Sequence, residues 1–146
     1  EDLRAEDPDA FSMLCDVAIP FRFHDDNTDI RVHKPVITLG SKGEVIEIRY
    51  NAHLAGIFDM SAEIIPAYYG AYRAYMARTR DPKYRHTLKL KAGEMVVFDN
   101  RRVLHGRDSF DPSTGFRHLH GCYVDRGEFF SRLRLLARKI DVATLP

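Results

Sequence analysis

Apolar positions along this chain change period several times, and each change predicts an element. Residues 1–9 are acidic and predict a frayed end or the cut edge of a longer helix. Over 9–18, Phe11, Leu14, Cys15 and Ala18 recur at the spacing of a short amphipathic helix. After Pro20 the period drops to two. Phe21 and Phe23 predict a strand, Asp25-Asp26-Asn27 a polar turn, and Ile30, Val32 and then Val36-Ile37 further strand. Gly40-Ser41-Lys42-Gly43 predicts a turn, beyond which Ile46, Ile48 and Tyr50 share one face.

The densest helical periodicity lies over 64–76, with Ile64, Ile65, Tyr68, Tyr69, Tyr72, Tyr75 and Met76, starting near Ser61 or Pro66. So many tyrosines on one helix could suggest a cofactor box, but a helix laid on a sheet explains them by packing alone. From Thr87 the pattern returns to strands: Leu88 and Leu90 alternate, Ala92-Gly93 turns, and runs at 95–98, 103–105 and 117–124 follow. Asp125 with Glu128 forms a capping box. Phe129, Leu133, Leu136 and Ile140 then predict a closing amphipathic helix. The expected fold class is mostly β with flanking helices, a jelly-roll or double-stranded β-helix, as the incomplete C-terminal part of one.

Composition narrows the functional classes. The 146 residues suit one domain, 1–146, with 45% hydrophobic and 29% charged residues, ordinary for a soluble globular protein. A net charge of +1 gives no reason to expect nucleic acid or an anionic membrane as partner. No apolar run approaches the ~18 residues of a membrane span, and no secretory signal opens the chain. Cys15 and Cys122 lack CxxC spacing, so a reducing, cytoplasmic setting is expected, although the two could pair. A first residue of Glu1 rather than Met suggests a processed or truncated product.

Candidate chemistry concentrates late in the chain. His105 closes one predicted strand and Arg117 opens the next, the layout of a metal ligand beside an anion clamp. On a strand, Arg117, Leu119, Gly121 and Tyr123 would share one face and His118, His120 and Cys122 the other. Arg117 and Tyr123 would then stand roughly 20 Å apart at about 3.3 Å per residue. An arginine fork suits a carboxylate, and a tyrosine face suits a quaternary ammonium that cannot donate hydrogen bonds. Each residue has a plainer reading too: Arg117 paired with an acid, Tyr123 in a core, His105 as an ordinary strand-end histidine.

Taken together the strings become specific. Phe98-Asp99-Asn100-Arg101-Arg102-Val103-Leu104-His105-Gly106-Arg107, Arg117-His118-Leu119-His120-Gly121-Cys122-Tyr123 and Ser131-Arg132-Leu133-Arg134-Leu135-Leu136 resemble the C-terminal part of a known family. These are the iron(II)- and 2-oxoglutarate-dependent dioxygenases related to taurine dioxygenase, in particular those acting on γ-butyrobetaine. The resemblance reaches more weakly back through Tyr50-Asn51 and Pro35-Val36-Ile37. It implies that His105 is the distal histidine of a two-histidine, one-carboxylate iron site. It implies further that Arg117 binds the far carboxylate of 2-oxoglutarate and that Tyr123 belongs to an aromatic cage around a trimethylammonium group. Asn51 would contact substrate. The implied reaction hydroxylates γ-butyrobetaine to L-carnitine, with Fe(II), 2-oxoglutarate, O2 and ascorbate as reductant, in a homodimeric intact enzyme.

The first histidine and the carboxylate occur in that family as His-x-Asp on an earlier strand. His24-Asp25-Asp26 has that spelling, but 20–39 aligns after the family's motif, so it is read as a polar turn. The chain is therefore expected to be a C-terminal fragment, inactive alone. Two alternatives stay open: a related dioxygenase acting on trimethyllysine or another small substrate such as a sulfonate, or a non-catalytic β module that binds ligands.

Overall fold

Asp7 and Pro8 divide what reads as one acidic end into two helices. In the computed structural model, which describes residues 1–51 and 53–139, α1 spans Asp2–Glu6 and α2 spans Pro8–Asp16. The Asp7 carboxylate accepts a hydrogen bond from the Ala10 amide at 3.0 Å, and Pro8 occupies the first turn, where its missing N–H costs nothing. The expected fraying at 1–9 is thus corrected. Leu3 is buried, and Arg4 reaches the carbonyl of Gly43 at 2.7 Å, which ties α1 down.

The chain divides into two compact units, Glu1–Gly106 and Arg107–Pro146. In the first, β1 (Ile19–His24) pairs antiparallel with β2 (Asp29–Lys34), with Phe21 opposite Val32 and His24 opposite Asp29. The turn between them is closed by Asp25, whose amide donates to the Thr28 carbonyl and whose carboxylate accepts from the Asn27 amide. A second hairpin pairs β3 (Ile37–Leu39) with β4 (Val45–Ile48), with a register shift at Thr38/Leu39. Its turn needs Gly43 at φ +77°, a left-handed conformation that side chains disfavour.

Helix α3 (Ile65–Arg80) carries Pro66 in its first turn and Arg78 and Arg80 in its last, both favourable to a helix dipole. Its tyrosines pack. Tyr68 is fully buried, Tyr50 stacks on Tyr72 with ring centroids 4.8 Å apart, and Phe58 meets Tyr68 edge-on at 5.2 Å. Burial pushes the Tyr72 and Tyr75 phenols up to about 12. Leu14, Ile19, Val36 and Tyr68 form the centre of the core, with Phe11, Phe21 and Ile37 around them. Each such side chain contributes about 1.5–3 kcal/mol by leaving water.

Beyond α3 the expectation of strands fails. Among the described residues, a one-turn helix at Pro82–Tyr84 follows α3, and 85–124 then form no strand, only local turns and a second one-turn helix at Pro112–Thr114. A strand requires a neighbouring backbone to take its N–H and C=O groups. These segments find none, so Met95 and Val97 stay 83% and 70% exposed. In the second unit α4 (Arg126–Ala137) begins as expected, the Asp125 carboxylate accepting from the Glu128 amide at 3.1 Å. Ile140 lies outside the described residues. The observed architecture is two small antiparallel sheets with helices, and more of the described residues are helical than extended.

Leu14→Ala is expected to lower the unfolding free energy by about 2–5 kcal/mol in urea titration. Phe23→Ser, at a position 48% exposed, should stay within about 0.5 kcal/mol. Equal losses would show that the core is not centred on Leu14.

Candidate functional site

The Asp99-Asn100-Arg101-Arg102 stretch forms a tight turn because Asp99 receives it at several points. Its carboxylate accepts from the Arg101 amide at 3.0 Å, and its carbonyl accepts from the Arg102 and Val103 amides. Across this turn the Phe98 and His105 rings come together, with centroids 5.0 Å apart. His105 as a residue is exposed.

The turn is fastened to β4. The Ile48 amide donates to the Arg101 carbonyl at 2.8 Å, and the Arg102 guanidinium donates to the Val45 carbonyl at 2.6 Å. Glu47 lies between two arginines, Oε1 accepting from Arg49 at 2.5 Å and Oε2 from Arg101 at 2.8 Å. Its side chain is only 15% exposed. Burial pushes the Glu47 carboxyl upward, but the Arg101 hydrogen bond and the two positive charges outweigh it, and the group is held below its ordinary value. The sequence reading missed this bracket. Its only linear signal is Glu47 alternating with Arg49 on a strand, ahead of a distant Arg-Arg pair.

Asn51 follows β4 and shapes the next turn. Its side-chain oxygen accepts from the His53 amide at 2.9 Å, and its carbonyl accepts from the Leu54 and Ala55 amides. The segment it launches lies along β1, through Arg22 to Leu54 at 2.8 Å and Gly56 to Pro20 at 2.8 Å. The Asn51 amide N–H groups have no partner among the described residues. His24 and Asp26 sit at the tip of the β1–β2 hairpin, as the polar-turn reading expects. On that hairpin Asp29 accepts from both Arg22 and Arg31, and the two guanidinium groups hold its carboxyl far below the usual carboxylate range.

In the second unit, Arg117 donates to the Asp108 carbonyl at 3.0 Å and stands 5.9 Å from the Phe110 ring centroid. Tyr123 is 85% exposed. The backbone there is not a strand, so the alternation that would put Arg117 and Tyr123 on one face is not present. The His118 and His120 rings do meet, one imidazole nitrogen hydrogen-bonding the other at 2.7 Å. Cys15 and Cys122 are both free thiols.

No group of three or more His, Cys, Asp or Glu side chains among the described residues could hold an ion, and His105 by itself does not make a metal site. No helix among them is long and apolar enough to cross a membrane.

Hairpins, helices and the His105 turn can be placed in a family. The model of the taurine catabolism dioxygenase TauD, TfdA family matches residues 1–123, and the chain belongs to that family. It is 49% identical over 138 residues to a γ-butyrobetaine dioxygenase of Pseudomonas sp. (strain AK-1), covering 94% of this chain and 36% of that protein. The human γ-butyrobetaine dioxygenase is 33% identical over 151 residues, covering 95% and 37%. A mitochondrial trimethyllysine dioxygenase of Gallus gallus is 31% identical over 142 residues, covering 93% and 33%. The chain thus spans about a third of the length of these relatives.

Because the folded-state pKa of Glu47 is depressed, its contribution to stability is present at neutral pH and is lost as pH falls through that lowered value. Glu47→Gln is therefore expected to lose less stability than the parent between pH 7 and about pH 3, read from urea midpoints. Parallel losses in the two proteins would remove Glu47 from the acid response.

Proposed function

We propose that this chain is the C-terminal part of the catalytic domain of an iron(II)- and 2-oxoglutarate-dependent dioxygenase that hydroxylates γ-butyrobetaine to L-carnitine. The observation that carries the proposal is 49% identity across 94% of the chain to a protein named γ-butyrobetaine dioxygenase. The next relatives support the same chemical class, since trimethyllysine also bears a quaternary ammonium group.

In this reading His105 is one donor to iron(II), and the remaining donors lie on polypeptide outside this chain. The metal, when bound, supplies oxygen activation coupled to oxidation of 2-oxoglutarate to succinate and carbon dioxide. The chain's own residues bind and orient. Arg117 takes the far carboxylate of 2-oxoglutarate with its two-pronged guanidinium, exchanging the Asp108 carbonyl for a charged partner. Tyr123 offers an exposed ring face to the trimethylammonium group. Asn51 contacts substrate through its side-chain N–H groups, its oxygen being taken by the His53 amide. The runs at 95–98 and 117–124 take up strand pairing with the rest of the polypeptide, within a double-stranded β-helix. The exposed apolar side chains of Met95 and Val97 support this.

In the full polypeptide, Arg117→Ala should raise the apparent KM for 2-oxoglutarate by about tenfold or more, the loss of a charge-assisted pair. An unchanged KM would defeat that assignment. Mass spectrometry of products from γ-butyrobetaine, trimethyllysine and a sulfonate should find hydroxylation chiefly of the first. Preference for either of the others would replace the substrate while keeping the class.

A further inference from the structure

We propose that Glu47 is a positioning residue, a carboxylate on β4 that anchors the Arg101-Arg102 turn and thereby sets where His105 stands. The proposal rests on the reading of His105 as a metal donor.

Four observations support it. The run 86–106 makes no ladder hydrogen bonds, and among the described residues its one backbone bond to another element is from the Ile48 amide to the Arg101 carbonyl. Side chains reinforce that single point from both partners: Arg101 reaches across to Glu47, and Arg102 to the Val45 carbonyl. Glu47 is mostly buried, so its ion pairs escape much of the screening that weakens surface pairs. Finally, the carboxylate has a hold on its own sheet besides Arg101. Thr38 lies opposite it in the sheet, and Arg49, whose amide donates to the Val36 carbonyl at 2.7 Å, occupies its other oxygen.

The consequence for His105 follows from chain geometry. Only three residues separate Arg101 from His105, and Asp99 closes the turn between Phe98 and His105. A donor on so short a tether takes its place from the anchor, and metal sites tolerate errors of only about 0.5 Å. Outer groups that orient a ligand commonly alter metal affinity by about 10–100-fold when removed. Glu47 acts here through the backbone of the ligand's own turn rather than through its imidazole. The same strand leads into Asn51, so one element fixes the beginning of both segments.

The test uses the full polypeptide with Glu47→Gln, Arg101→Ala, Arg101→Lys, the double variant Glu47→Gln with Arg101→Ala, and His105→Ala as reference. Amide exchange is read at Ile48, Arg102 and Val103 in metal-free protein, and cobalt(II) affinity by absorption titration. Glu47→Gln and Arg101→Ala should each accelerate exchange at these amides and weaken cobalt(II) binding by about tenfold. The double variant should be no weaker than either single one, and Arg101→Lys should recover part of the loss. Arg101 is half exposed on a turn, so its replacement leaves the core intact.

Unchanged exchange, cobalt(II) affinity within about twofold of the parent, or fully additive losses would each overturn the proposal. His105→Ala separates the two readings. If it binds cobalt(II) like the parent, the metal assignment fails, and exchange at Ile48 still decides whether Glu47 holds the turn.

Discussion

Leu14 from α2, Ile19 from β1, Tyr68 from α3 and Val36 from the approach to β3 meet without access to water, and the first unit is arranged around that meeting. Their burial orders elements that are individually short: a nine-residue helix, a six-residue hairpin strand and a three-residue strand would each be marginal alone. Phe58 and the tyrosines of α3 extend the packing outward to Tyr50, at the end of β4. The segment that leads to Asn51 is therefore held by this packing as well as by its backbone hydrogen bonds to Val36 and Arg101.

A second constraint governs the later half of the chain. Backbone polar groups need partners, and away from water an extended segment satisfies them beside another extended segment. The hairpins of 19–48 carry their partners within a few residues and form. The apolar runs from 87 to 124 have the composition of inner strands but join no strand ladder among the described residues, and their side chains stay exposed.

Membership of the TauD, TfdA family gives the late motifs a common context. Within it, the bracket of Glu47, Arg49 and Arg101 shows how a turn can be fixed without a ladder. Three charged groups and two backbone contacts do there what a neighbouring strand would do elsewhere. The bracket joins residues more than fifty positions apart, and so nothing in local periodicity announces it.

The short-range features were legible from residue order. Asp7-Pro8 apart, the α2 helix, the strand at Phe21 and Phe23 with its polar turn, the turn at 40–43, the α3 helix and the Asp125 cap follow from spacing and turn chemistry, because each is decided by groups a few residues apart, whereas the strand read over 30–37 is two strands, β2 and β3. The polar-turn reading of His24-Asp25-Asp26 held for the same reason. The family was legible too, since the His105 and Arg117 strings are specific chemistry in fixed order. Tertiary structure alone decided which apolar runs become strands, because a strand is a relation between two backbones and its period is only half of that relation. It alone brought Glu47 to Arg101 and the rings of α3 onto Tyr50 and Phe58, since ion pairs and ring contacts depend on distances in space that no spacing along the chain encodes.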